Sequence, residues 1–306
     1  MPNERRNLEP GSGFLLKAKL SWSAVRVGPA NEVTVTSERY AIGLARAFGG
    51  AILFGLPLLM TMEMWSLGFS MGRGRLLMLM MFTLMMLVGL SYFSGFEKTF
   101  SLKEDAMDAF AAFGVGITTS ALLLVTLAVI TFDMSWGDMV GRVALQSVPA
   151  SIGAMLGRKQ LGDEQDMKAE EERKQEAGYA GELFLMVAGA LFLAFNMAPT
   201  EEMVLIAFQM TPWHALALGV LSLLLLHAFV YSIGFSGQEN RPEGGTFVST
   251  FLHFTLAGYG IALLVSLYVL WSFGRTDGVA VAEIANMLVV LGFPASLGAA
   301  TARLVV

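Results

Sequence analysis

Two glutamates carry the strongest chemical signal in this chain. Residues 50–64 read GAILFGLPLLMTMEM and residues 189–203 read GALFLAFNMAPTEEM. Without a gap, Thr61 and Glu63 of the first fall on Thr200 and Glu202 of the second, and Glu201 stands beside the latter. Carboxylates and hydroxyls, joined by backbone carbonyls freed at a helix break, are ligands for hard cations such as Ca²⁺, Na⁺, K⁺ or hydrated Mg²⁺. A carboxyl in apolar surroundings can instead carry a proton, because burial favours its neutral form. Both readings make Glu63 and Glu202 a paired ion site, in the first reading a metal site, supported by Glu201, Thr61 and Thr200. The competing reading places the same glutamates at the outer interface, in the first turns of helices, where acidic residues suit the helix dipole.

The surrounding elements must be membrane helices. Of 306 residues, 55% are hydrophobic and only 15% are charged, against roughly 25% charged in soluble domains; mean hydropathy is +0.62. A span needs about 20 apolar residues. Eight windows qualify: Arg46–Trp65, Leu76–Phe93, Ala109–Phe132, a short one at Val143–Gly157, Leu183 past Glu202, and windows within Trp213–Ile233, Thr250–Phe273 and Ile284–Ala302. The first 40 residues are polar, without the apolar core of a signal peptide. They read as a cytoplasmic arm with a short strand at Glu32–Thr36.

The duplication extends past the glutamates. PASIGAMLGR at 149–158 returns as PASLGAATAR at 294–303, with six identities in ten. Tyr92, Gly95 and Phe96 match Tyr231, Gly234 and Phe235, and Gly114 and Gly116 match Gly258 and Gly260. The charged stretch 159–177 separates the copies and reads as a solvated linker. The expected fold is all-α: eight transmembrane helices in two tandem parallel four-helix repeats, 41–158 and 178–306. A re-entrant fourth segment would invert the halves, but it would put Arg158, Lys159 and the linker's basic residues outside. With eight spans, 16 of the 20 Lys and Arg fall on the inner side and four (Arg73, Arg75, Arg142, Arg275) on the outer. The positive-inside rule then places both termini in the cytoplasm.

Prolines mark the places where helices should bend. Pro57 should kink the first span, and Pro199 should end the fifth, ahead of a new start at Glu201. Pro149 and Pro294 each remove a backbone hydrogen bond that Ser151 or Ser296 can help replace. Gly153 and Gly298 allow close helix approach.

Several classes find no support. The chain has no cysteine, hence no disulfide or thiolate metal site. Its three histidines, at 214, 227 and 253, are scattered. No P-loop and no basic stripe with aromatics appears, which excludes direct ATP drive and nucleic-acid binding. Ala-Pro-Thr-Glu-Glu resembles the start of the motif of intramembrane CAAX-type proteases, but Ile206 stands where that family has arginine, and no Phe-x-x-x-His follows. No enzyme activity and no cofactor are expected. The same Pro-Thr-Glu-Glu is faintly similar to the acidic repeats of cation/Ca²⁺ exchangers, over a few residues only.

Residues 55–65 (GLPLLMTMEMW), 198–202 (APTEE), 211–214 (TPWH) and 292–299 (GFPASLGA) together resemble an uncharacterised family of bacterial integral membrane proteins, a domain of unknown function. The resemblance covers about 41–306. It implies a polytopic inner-membrane protein and supplies no activity. The expectation from the residues is therefore cation transport, by channel or carrier, through the paired glutamates. The alternative is a non-transporting structural or sensory protein acting through a cytoplasmic partner. Lipid is the expected surround, and homo-oligomers remain open.

Overall fold

A computed structural model describes residues 29–94, 102–160, 164–232 and 251–305 of the chain. Gly95, Phe96, Gly234 and Phe235 of the sequence repeat lie outside these residues. The described elements are helical: α1 (Pro29–Leu59), α2 (Met62–Ser70), α3 (Arg73–Ser94), α4 (Leu102–Thr126), α5 (Trp136–Gln160), α6 (Glu164–Met197), α7 (Glu201–Gln209), α8 (Pro212–Ser232), a π-helical turn (Phe251–Leu256), α9 (Ala257–Ser272) and α10 (Val281–Val305). Eight segments are long and apolar enough to cross a membrane: 41–59, 73–92, 102–126, 136–157, 178–197, 212–229, 251–272 and 281–302. Helices are the form such segments must take, because hydrocarbon offers no partner to an unpaired backbone group.

The chain divides into two compact units, Met1–Leu44 and Ala45–Val306. In the first, the strand expected at Glu32–Thr36 is replaced by helix from Pro29 onward. Proline suits the first helical position, and extending a helix costs far less than nucleating one, so the β-branched run Val33–Thr36 follows the helix.

Within the second unit, three expected boundaries move. The first span ends at Leu59 rather than Trp65, and the fifth at Met197. The fourth is a full span, because Arg142 lies inside α5 and does not end it. That span is the most enclosed, with 72% of its window buried, which is why it tolerates Arg142, Gln146, Ser147 and Ser151. Gln146 Nε2 donates to Gly55 O at 2.8 Å, tying α5 to α1 across a buried contact.

Helix crossings depend on glycine. A Cβ on Gly50 would meet Gly153 O at 2.2 Å, and one on Gly189 would meet Gly298 O at 2.1 Å. Small residues let backbones touch where bilayer lipid supplies no hydrophobic drive for association. Gly116 packs on Ser151 in the same way, whereas Gly114 and Gly260 face open space. Helices α5 and α10 hold matching positions: α5 packs against α2, α3 and α4, and α10 against α7, α8 and α9. They meet each other, and α3 and α5 meet α6. Aromatic contacts join the same two groups of helices: Phe54 with Phe192 (5.1 Å between centroids) and Phe82 with Tyr268 (4.7 Å).

Candidate functional site

The two glutamates sit in the same local structure. α2 and α7 are nine residues each, and both their first and last residues lie 139 positions apart (62 and 201, 70 and 209). Each follows a break in the chain. Thr61 (φ −97°, ψ 124°) and Thr200 (φ −71°, ψ 142°) are the extended residues before them, and Met71 and Met210 end them in extended geometry. Glu63 is the second residue of α2 and half-buried, while Glu202 is the second residue of α7 and, like Glu201, exposed. Glu63 therefore does not ride on the first spanning helix, as a continuous helix from Arg46 would require.

Two carbonyls at each break already accept side-chain donors. Thr61 Oγ1 donates back to Leu58 O (2.7 Å) and Thr200 Oγ1 to Met197 O (2.9 Å), so neither threonine caps its own short helix. Trp65 Nε1 donates to Leu59 O at 2.7 Å. Arg275 Nη2 donates to the carbonyl of the buried Pro199 at 2.6 Å. These bonds compensate the end of each helix where backbone partners run out. Among the described residues, no three His, Asp or Glu side chains gather as a metal site would need.

Pro57 lies in the last turn of α1, and α5 and α10 run unbroken through Pro149 and Pro294. Ser151 Oγ donates to Val148 O (2.9 Å) and Ser296 Oγ to Phe293 O (2.7 Å). Each serine thus bonds the carbonyl of the residue before the proline. The carbonyl that the proline itself leaves free lies four residues before the ring, at Leu145 or Val290, so the expected repair of the proline gap does not occur.

Sequence reading passed over the arginines now seen at the loops. Arg73 Nη1 donates to Gly137 O (3.2 Å), and Arg142 Nη1 to Val129 O (2.7 Å), with its guanidinium 5.6 Å from the Phe69 ring. Arg75 holds Asp277 at two points and lies 5.2 Å from the Trp271 ring. With Arg275, all four arginines assigned to the outer side bind acceptors at helix ends or in loops. Their signal was present in the chain: four lone cations, each at the edge of an apolar run.

Between the two groups of helices lies a cavity of about 110 Å³, bounded by Phe54, Leu90, Ile152, Phe192, Gly298 and Ala302 among others. Its walls are apolar, and neither Glu63, Glu201 nor Glu202 lines it.

The family model described as "Putative integral membrane protein (DUF2391)" matches residues 43–306, so the chain belongs to that family of integral membrane proteins, whose function is unknown. No curated protein and no solved structure matches.

Proposed function

We propose that this protein is a non-transporting structural or sensory component of the membrane, meeting a partner through the polar arm 1–40 and the charged linker 159–177. One observation carries this reading over cation transport: at each helix break two carbonyls accept protein donors, from Thr61 and Trp65 at the first and from Thr200 and Arg275 at the second. The glutamates stand in the first turns of α2 and α7, where the partial positive charge of a helix start favours a carboxylate without any bound ion. The cavity between the helix groups has apolar walls and is lined by none of the glutamates. Gly178, at φ 58°, breaks the helical backbone between the linker and the span that follows, a conformation glycine takes readily.

The architecture behind this reading is two tandem parallel repeats, with both termini in the cytoplasm of a cell whose inner membrane holds the chain. The matched breaks support it, as do the turns that end α4 and α9. Val129 N and Arg275 N donate to Leu124 O and Leu270 O at 2.9 Å each, while Ala128 and Gly274 take positive φ (55° and 74°). These positions are 146 apart. That spacing sets Gly116 against the buried Ala262 rather than Gly260, and agrees with Gly260 facing open space.

Flux in proteoliposomes tests the function. Vesicles with the wild type, Glu63→Gln and Glu202→Gln are scanned for Ca²⁺, Na⁺, K⁺ and H⁺ movement. No flux above empty vesicles is expected. A cation flux in the wild type that both substitutions abolish, with folding intact, overturns the reading and restores the paired-carboxylate pathway.

A further inference from the structure

We infer that the cavity between the two groups of helices is a lipid site, holding a segment of one phospholipid acyl chain. Its size, about 110 Å³, approaches that of the roughly 150 Å³ apolar cavities that stay dry and take up benzene. Thr301 brings the one side-chain hydroxyl in its wall, and that hydroxyl is turned into its own helix, donating to Leu297 O (2.9 Å) and reaching Gly298 O (3.3 Å). Water entering would find no partner there. The wall is also incomplete: Phe54, Gly189, Phe192, Leu193 and Thr301 are only partly buried, so the cavity has a mouth.

The position of that mouth selects the occupant. Every lining residue lies within a membrane-spanning segment. Leu90, Leu156, Thr301 and Ala302 belong to the last turns of spans 73–92, 136–157 and 281–302, and Phe54, Phe192 and Leu193 lie deeper. The cavity therefore runs from one membrane face toward the bilayer middle, along the direction of the acyl chains of one leaflet. At that depth the surrounding solvent is hydrocarbon. Because the lining comes from both halves of the chain, the lipid segment would join them where side chains do not meet.

Two measurements on the full chain test the proposal. Wild-type protein is extracted, washed in detergent and weighed by native mass spectrometry, beside Ala188→Leu and Thr301→Leu, which fill the cavity from opposite walls, and Leu216→Ala on an exposed face of α8. The expected result is about one phospholipid retained per wild-type and Leu216→Ala chain, and a loss of at least roughly tenfold in both filling variants. Independently of any variant, a phospholipid with a diazirine in its acyl chain is cross-linked to the wild type in nanodiscs. Its adducts should concentrate on peptides containing 188–193 and 298–302. Absence of retained lipid in the wild type, retention unchanged in folded filling variants, or adducts confined to other helices each overturns the proposal.

Discussion

Arg75 and Asp277, 202 residues apart, face each other in a two-point ion pair: Nη1 to Oδ2 at 2.6 Å and Nη2 to Oδ1 at 2.7 Å. The pair fastens the start of α3 to the loop before α10. The hydrogen bond from Arg75 holds the Asp277 carboxyl below its ordinary range, opposed by desolvation and aided further by the charge of the guanidinium. A carboxylate with a lowered folded pKa adds stability above its unfolded pKa, about 3.9, and loses it as pH falls through the folded value. Apparent melting of the wild type and Asp277→Asn should therefore differ at pH 7 and converge as pH falls below the ordinary carboxylate range. Because the pair is exposed, the difference should shrink in high salt. A difference that persists at low pH assigns Asp277 another role.

The turn ending α4 stores strain that its counterpart avoids. Ala128 sits at φ 55°, where Gly274 holds φ 74° in the matching turn. An L side chain in this region costs about 1–2 kcal/mol, offset in part by the greater unfolded-chain freedom of glycine. Ala128→Gly should stabilise by about 0.5–1 kcal/mol, raising the apparent melting temperature by roughly 2–3 °C. Gly274→Ala should destabilise by more, because its Cβ would also come within 3.2 Å of Arg75 Nη1 and disturb the ion pair. Thermal melts of the two variants decide this by their opposite signs.

Glycines divide by their surroundings. A side chain at Gly189 or Gly298 would collide with the backbone of the facing helix at 2.1 Å, and neither backbone can yield without parting α6 from α10. Gly189→Leu should cost several kcal/mol and remove the monodisperse species in size-exclusion chromatography. Gly260→Ala meets open space and should gain about 0.5–1 kcal/mol from helix propensity. Equal behaviour of the two variants would contradict the packing described.

The eight spans were legible because a bilayer allows few solutions: backbone groups must pair within the segment, and length follows from thickness. The break ahead of Glu201 was legible too, from Pro-Thr-Glu-Glu. The same break ahead of Glu63 was hidden, because Met60-Thr61-Met62 continues the apolar run and hydropathy does not register a change of direction. Arg142 misled in the opposite sense. As a charge it marks the end of a span, yet inside α5 its guanidinium finds Val129 O. The glycine match at 114/258 shared a pattern but not a place, since the closing turns align two residues further on. Side-chain partners across helices decide such cases, and no single segment encodes them.

Arg275 tests whether the occupied carbonyls matter. Its bond to Pro199 O joins the loop after α9 to the break before α7. Hydrogen bonds from a charged donor contribute about 1.5–3 kcal/mol. Arg275→Met keeps the apolar stem and should lower stability by about that amount, and it should raise hydrogen exchange of amides around residues 198–202. Exchange unchanged in that segment would mean the break is held by Thr200 alone.

The absence of native cysteine makes orientation directly measurable. Single substitutions Thr276→Cys, in the loop between α9 and α10, and Gln165→Cys, in the linker, place one thiol on each expected side without background. In intact cells a membrane-impermeant maleimide should label Thr276→Cys fully. Gln165→Cys should react only after permeabilisation. The reverse pattern would put the termini outside, against 16 of the 20 basic residues. Labelling of both from one side would mean that an even number of segments crosses between Gln165 and Thr276, which eight spans do not allow, because the three spans 178–197, 212–229 and 251–272 must carry the chain from one face to the other.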